Sequence, residues 1–204
     1  MLRWFQPRSM LMMKGSLSMH RFHIKKSHYM THAFVDLTMQ AIVETKNRWL
    51  CHHVDVLFPT AESIKGRELY LSLNAQQSVA PLTFNAQHHI NLDSIYLVDF
   101  HRLTIMFALL QASRCLQEEQ QALLVEFFTQ IIYSAPCSLF LGFVDTKPVA
   151  AALLTETEHS LLISDIVIHD TAAFGTPDHF ACAVIDKWME GRSFTGNIYI
   201  ESAR

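Results

Sequence analysis

The chain has 204 residues, of which 50% are hydrophobic and 17% are charged. This balance excludes intrinsic disorder, and no apolar stretch approaches the roughly 20 residues that a membrane-spanning helix needs. Six Gly and six Pro exclude collagen-like and low-complexity classes, so the composition is that of one ordinary domain, with or without an appendage.

Charge is distributed unevenly along the chain. Residues 1–32 carry six basic side chains and no acidic one, whereas the remaining residues carry 10 basic and 19 acidic side chains. We therefore expect a basic, poorly ordered N-terminal arm over 1–32, because this segment also lacks a helical or strand period. A loosely transit-peptide-like leader and a later start of translation, at Met19 or Met30, are two open explanations for the arm. The acidic body lacks the clustered Lys and Arg that nucleic-acid binding needs, and no membrane association is expected.

The four cysteines are widely spaced and form no C-x-x-C pair, which argues against a zinc ribbon or a redox motif. We interpret them as buried thiols that pack as small hydrophobic side chains. Free thiols are typical of a reducing compartment, so a cytoplasmic protein without a bound metal is expected. The cysteines are Cys51, Cys115, Cys137 and Cys182.

The segment that follows the arm is expected to form a small unit. Apolar residues at helical spacing between residues 34 and 42 predict a helix. Residues 54–58 predict a short strand, and the alternating leucines of residues 69–73 predict a second one. Between them, Thr60 is a candidate N-cap for a brief helical turn that ends at Gly66. Residues 75–90 are expected to be a connector.

From residue 91 onward, strand and helix patterns alternate. Asp99 is a candidate N-cap of the first helix, and Thr176 with Pro177 predicts the start of the last one. This order of elements predicts an α/β (α+β) fold with a mixed, mostly antiparallel central sheet flanked by helices. The predicted elements are strand 94–98, helix 100–110, a helix that follows Gln117 and is terminated by Pro136, a hairpin of strands 139–144 and 149–155, strand 161–169, a helix that starts at Pro177 and is stopped by Gly191, and strand 197–201.

Residues 91–204 resemble the GNAT acyltransferase superfamily. The resemblance rests on residues 96–103 (YLVDFHRL), residues 140–154 (FLGFVDTKPVAAALL) and residues 162–169 (LISDIVIH), followed by the helix at Pro177. It implies a GNAT-like domain that uses acetyl-CoA or another acyl-CoA to acylate an amine of a small molecule or peptide. The alternative is a GNAT-fold domain that has lost catalysis and serves as a binding or oligomerising module.

The resemblance also implies where acyl-CoA would bind. In the family, the pantetheine pairs with the fourth strand where that strand splays from the fifth, and the pyrophosphate lies on backbone N–H groups at the start of the next helix. The matching residues here are Ile166, Val167, Ile168, Ala173, Phe174, Gly175 and Thr176. The turn departs from the family motif, because Pro177 removes one N–H and Asp178 adds a negative charge. A structural helix without a phosphate site is therefore the alternative.

Three residues are candidates for the acid–base chemistry of acyl transfer. His169 ends the presumed fourth strand, and a histidine suits a base at neutral pH. Asp165 is expected to share the face of His169, along with Val167 and Ile163, by the period of two. Tyr199 on the last strand is a candidate proton donor. A solvent-exposed His169 and a structural Tyr199 are the alternatives.

The family sheet continues beyond its fifth strand, whereas the last strand predicted here ends at residue 201. An uncovered edge strand favours aggregation, so another segment is expected to pair with it. Residues 33–90 are one candidate, which would complete the sheet in a circularly permuted arrangement. Exchange of strands in a homodimer is the other.

Overall fold

The computed structural model describes residues 37–85 and 88–203. The basic arm over 1–32 lies outside the described residues. The helices are α1 (37–52), α2 (Ala61–Asn74), α3 (His101–Ala112), α4 (Glu118–Thr129), the single turn α5 (Thr171–Phe174) and α6 (Pro177–Trp188). The strands are β1 (Gln77–Pro81), β2 (Ile95–Leu97), β3 (Cys137–Val144), β4 (Lys147–Glu156), β5 (Ser160–Ile168) and β6 (Asn197–Ala203).

The six strands form one sheet in the order β1-β6-β5-β4-β3-β2. Every neighbouring pair is antiparallel except β5 and β6, which run parallel. The predicted class, a mixed and mostly antiparallel sheet flanked by helices, is confirmed. In the part of the chain that the structure describes, no helix is long and apolar enough to cross a membrane.

The two faces of the sheet bury separate hydrophobic cores. Along β4, Ala151 and Leu153 pack beneath α1, α2, α3 and α4, whereas Ala150 and Ala152 pack against α6. Successive side chains of a strand point to opposite faces, so one strand serves both cores. Helices cover both faces of the central strands. The sequences of these strands are therefore apolar at nearly every position rather than at alternate positions.

The predictions of strands at residues 54–58 and 69–73 are wrong. Residues 53–58 form turns in which Leu57 and Phe58 are exposed. The second segment belongs to α2, which Thr60 caps and which continues past Gly66 to Asn74. Leu69 and Leu73 pack towards the core at a spacing of four residues, whereas the intervening Leu71 is partly exposed. The leucines at residues 69, 71 and 73 alternate like those of a strand, but over only five residues this spacing also occurs in a helix.

A strand also lies within the predicted connector. β1 pairs antiparallel along β6, with Gln77 opposite Ala203 and Pro81 opposite Tyr199. β1, which lies within the segment 33–90, therefore extends the sheet beyond β6 in a single copy of the chain. Proline is tolerated in β1 because this strand is at the edge of the sheet and has a free side.

Helix boundaries in the second half differ from the predictions in three places. Phe100, rather than Asp99, is the N-cap residue of α3, and it makes no side-chain cap bond. α4 ends at Thr129, seven residues before Pro136. α6 ends at Trp188, before Gly191. The start of α6 is as predicted, because the Thr176 hydroxyl accepts a hydrogen bond from the His179 N–H and Pro177 occupies the first turn.

The packing of α2 on α4 requires a glycine at position 66. A Cβ atom there would lie 2.2 Å from the carbonyl oxygen of Leu123 and 2.8 Å from Cβ of Phe127. In an exposed helix interior, replacing Gly with Ala is stabilising. At Gly66 we expect Gly66→Ala to lower the free energy of unfolding by roughly 1–3 kcal/mol, because overpacking forces the helices apart. Urea unfolding measures this, with Lys65→Ala on the exposed face as the control. A Gly66→Ala variant as stable as the wild type would contradict the close packing.

Candidate functional site

A cavity opens where β5 and β6 stop pairing. The parallel pairing runs only from Ser160 opposite Asn197 to Ile163 opposite Ile200, although both strands continue. The cavity beyond it measures about 250 Å³ and lies at the C-terminal ends of the two parallel strands. Ligands of open α/β sheets commonly bind at such strand ends. The cavity is lined by Asn74, Gln77, Arg114, Asp165, Ile166, Pro177, Glu201, Ser202 and Ala203.

A β-bulge in β5 accompanies the separation. Asp165 has a φ of 53°, in the left-handed region that non-glycine residues seldom adopt. The register between β4 and β5 shifts there, so that Asp165 and Ile166 both oppose Ala152. Strained backbone of this kind is often found at functional sites.

The bulge changes which side chains share a face of β5. Ile163 packs with α6, whereas Val167 packs in the other core, beneath α1 to α4. The Asp165 carboxylate lies with Val167, next to Tyr70 of α2. The prediction that Asp165 shares a face with Ile163 is therefore wrong, because the inserted residue breaks the period of two between them.

Asp165 is the centre of a buried polar network. Its Oδ2 accepts hydrogen bonds from the Tyr70 hydroxyl at 3.2 Å and from the Ser164 hydroxyl at 2.9 Å, and lies 3.8 Å from Nζ of Lys46. Its Oδ1 accepts a bond from Nη1 of Arg114 at 3.3 Å. The Gln111 amide donates to the backbone carbonyl of Asp165 at 2.6 Å, which holds the bulge. Both carboxylate oxygens of Asp165 are thus engaged by the protein itself.

Of the two carboxylates that line the cavity, Glu201 accepts fewer hydrogen bonds than Asp165. Its Oε2 forms an ion pair with Lys46, whose side chain is completely buried. Within the described residues, no donor reaches its Oε1. Burial raises the pKa of Glu201 above its usual value, while the Lys46 ammonium opposes the increase. A carboxylate with a raised pKa that borders a cavity is suited to accepting a proton.

Tyr70 and Asn74 continue the network towards the cavity. Burial, reinforced by the negative charge of Asp165, raises the pKa of Tyr70 well above its usual value, so its hydroxyl stays protonated and donates. The Asn74 amide nitrogen donates to the Tyr70 hydroxyl at 2.8 Å. The Asn74 Oδ1 is buried and has no hydrogen-bond partner among the described residues, although Asn74 lines the cavity.

His169 and Tyr199 lie apart from the cavity, since neither lines it. His169 is exposed, and its Nε2 lies 2.8 Å from the Ser113 hydroxyl at the end of α3. Tyr199 is buried, and its hydroxyl lies 2.8 Å from that of Thr38. Of the three predicted acid–base residues, only Asp165 borders the cavity.

The turn predicted to bind a pyrophosphate is already hydrogen-bonded internally. The Asp170 carboxylate accepts from the N–H groups of Ala172 and Ala173, each at 3.0 Å. The N–H groups of Phe174 and Gly175 donate to the carbonyls of Asp170 and Thr171. An anion that binds the N–H groups of Ala172 and Ala173 would have to displace Asp170. Phe174 is also fully buried in the core, so it contributes packing here.

The predicted pantetheine strand is partly open. Val167 pairs with Ala151 and Ile168 with Ala150 on the β4 side. On the opposite side, β6 no longer pairs with β5 beyond Ile163. Ile166 lines the cavity and also contacts the core next to α6.

The cysteines are all free thiols, and three of the four are buried. Burial raises the pKa of each, to about 12 for Cys137. Thiols with raised pKa values are poor nucleophiles, which agrees with the packing role predicted for them. In the described part of the chain, no cluster of His, Cys, Asp and Glu is arranged to hold a metal ion.

Sequence reasoning missed Glu201, Lys46 and Arg114. One signal was visible for Lys46, because it lies on α1 between Ile42 and the buried Trp49 and Leu50, on the apolar side of the helix. A buried lysine must find a carboxylate. Nothing in the sequence indicates which carboxylate, because the partner lies 155 residues away.

Neither a protein-family model nor a curated protein matches this sequence. Among solved structures, the chain is similar to a functionally unknown conserved protein from Staphylococcus epidermidis ATCC 12228, with a TM-score of 0.43 and 11% sequence identity. The match covers 71% of this chain and 60% of that one, so the chain spans less than two thirds of that protein's length. A likeness at this level carries no functional information.

Removing the Lys46 charge should destabilise the fold. Lys46→Met leaves the buried Glu201 carboxylate without its cation, and breaking one side of a buried ion pair costs about 3–5 kcal/mol. Adding Glu201→Gln to Lys46→Met should restore part of this loss. Chemical unfolding of both single variants and the double variant gives the coupling energy. Lys187→Met, which removes a partly exposed pair with Glu190, is the matched control. Additive effects of the two substitutions would contradict the coupling.

The raised pKa of Glu201 predicts a pH dependence of stability. In the unfolded chain Glu201 ionises near pH 4.5, whereas in the folded chain it ionises at a higher pH. Between these two pKa values the folded state binds more protons, so the stability contributed by this group falls as the pH rises through that window. Glu201→Gln should remove this decline. Urea unfolding of both proteins from about pH 4 to about pH 8 measures it. Parallel stability curves for the two proteins would show that Glu201 has the same pKa in both states.

Proposed function

We propose that this protein is a divergent acyl-CoA-dependent N-acyltransferase, with a GNAT-like arrangement, that transfers an acetyl or other acyl group to an amine. The observation that supports it best is the cavity at the split between the parallel strands β5 and β6. In the family that residues 91–204 resemble, this split is where the thioester lies. Here the first residue of α6, Pro177, also borders the cavity, as the start of the corresponding helix would.

Glu201 is the residue best suited to act as the base. Its Oε1 has no donor within the described part of the chain, and its raised pKa brings it closer to neutral pH. When acyl-CoA is bound, its thioester supplies the acyl group. Glu201 accepts the proton that the amine gives up as the C–N bond forms and the C–S bond breaks, and this proton is passed on to the departing thiolate. Asp165, whose oxygens both accept hydrogen bonds from the protein, holds Arg114 at the cavity.

The protein suits some parts of an acyl-CoA molecule better than others. The open side of β5 beyond Ile163 suits an extended pantetheine chain, which could pair with the strand backbone. The turn before α6 suits the pyrophosphate less well, because Asp170 already accepts from Ala172 and Ala173. Asp178, which lies exposed in the first turn of α6, adds a second negative charge.

This internal pairing of the turn favours a second candidate function. A catalytically inactive binding or oligomerising module would retain the sheet and α6 but would not need free N–H groups before the helix. The two functions differ in one measurable property, which is the affinity for CoA.

Calorimetric titration with acetyl-CoA and with CoA tests the proposal directly. We expect both to bind, and we expect Asp178→Asn to tighten both, because a carboxylate in the first helical turn competes with the pyrophosphate for the positive helix end. A helix-end charge is worth about 0.3–1 kcal/mol, which corresponds to roughly a two- to five-fold lower Kd. Screening by salt should reduce the gain. Absence of CoA binding to either protein at millimolar ligand would leave the binding module as the function.

Glu201→Gln should separate chemistry from binding. The amide has nearly the same shape but cannot accept the proton of the amine, so we expect acyl transfer to fall by about 10²–10⁴-fold while the Kd for CoA stays unchanged. Single-turnover acylation of a panel of amines measures the rate. Glu156→Gln, an exposed residue of β4 outside the cavity, is the control. A Glu201→Gln variant with undiminished transfer would exclude this carboxylate as the base.

A further inference from the structure

The charges around the cavity indicate what kind of molecule it holds. We infer that the cavity between β5 and β6 binds a free amino acid, whose amine faces Glu201 and whose carboxylate faces Arg114. Under the proposed function, this amino acid is the acyl acceptor, so the inference rests on that function for the transfer step. The binding itself does not depend on it.

Glu201 provides the acceptor for the amine. It lines the cavity, its Oε2 is paired with Lys46, and no hydrogen bond among the described residues reaches its Oε1. An ammonium group has three N–H donors and no acceptor, so it can donate to this oxygen. The negative charge of Glu201 makes a cation the favoured occupant on this side.

Arg114 provides the complementary site for a carboxylate. Its Nη1 donates to Gln111 at 3.0 Å and to Asp165 at 3.3 Å, which fixes the guanidinium. Its Nη2 and Nε have no acceptor within the described residues, and its side chain is 21% exposed. Two adjacent N–H groups of a fixed guanidinium match the two oxygens of a carboxylate.

Charge balance and size select among small ligands. Lys46 and Arg114 face Asp165 and Glu201, so the ionised cluster has no net charge. A phosphate would meet two carboxylates and a plain amine would leave Arg114 without a partner, whereas a zwitterion satisfies both sides. The volume of about 250 Å³ is below the roughly 300–1,000 Å³ of drug-sized sites. A free amino acid, rather than a peptide, therefore fits.

Binding of the twenty L-amino acids, each added singly at millimolar concentration to the full chain, tests the inference. Calorimetry and thermal shift are measured without CoA and again with saturating CoA, so that an ordered mechanism does not hide binding. We expect at least one amino acid to bind. Its decarboxylated amine and its N-acetyl derivative should each bind about ten-fold more weakly or worse, since each lacks one charge-assisted contact.

Arg114→Lys assigns the carboxylate contact. Lysine keeps the charge but cannot bind a carboxylate through two N–H groups. We expect the amino acid to bind about ten-fold more weakly to Arg114→Lys, while binding of the decarboxylated amine is unchanged. Arg192→Lys, which alters an arginine stacked on Trp188 away from the cavity, should bind like the wild type. If Arg114→Lys does not fold, the ligand series on the wild-type protein still decides the question.

The outcomes distinguish the two proposals. Binding of no amino acid in either condition, or equal binding of the amine that lacks a carboxylate, overturns this inference. Acylation of amines by a protein that binds no amino acid overturns it while the proposed function stands. Amino-acid binding by a protein that does not bind CoA supports this inference and removes the proposed function.

Discussion

The burial of one lysine charge organises the centre of this protein. Lys46 lies on α1, Glu201 on β6 and Asp165 on β5, and the ammonium of Lys46 pairs with both carboxylates away from solvent. An unpaired charge in this environment would be strongly destabilising, so α1 and the two strands must approach in one register. This requirement places Lys46 of α1 beside Asp165 and Glu201, next to the point where β5 and β6 separate.

The separation of the strands has a local cause and a global one. The left-handed conformation of Asp165 shifts the register of β5 against β4, and the Gln111 amide stabilises the resulting bulge from α3. On its other side β6 pairs with β1 from Tyr199 to Ala203, so it keeps a partner beyond the point where it leaves β5. The cavity is thus bounded by two strands that are each paired with another strand, β5 with β4 and β6 with β1, which is a rigid arrangement for a binding site.

The carboxylates of Asp165 and Glu201 differ because their surroundings differ. Asp165 accepts hydrogen bonds at both oxygens, so it is a structural anchor. Glu201 is bonded at one oxygen only, and its burial makes ionisation more costly. Under the proposed function, the base is therefore Glu201 on β6 rather than the strand-end His169, which is exposed and lies against Ser113.

The class of the fold and most of its second half could be predicted from the sequence alone. Apolar runs and cap residues such as Thr176 are local signals, and they correctly predicted the hairpin of β3 and β4, strand β5 and the start of α6. Local signals failed at residues 69–73, where a helix and a strand give the same spacing over five residues. They also failed at β1, whose strand conformation depends on its partner β6. The site could not be predicted in this way, because tertiary contacts bring Lys46, Asp165 and Glu201 together from distant parts of the chain. A bulge of one residue further reverses the face that Asp165 presents, and the energy of a buried charge depends on neighbours that the order of residues does not reveal.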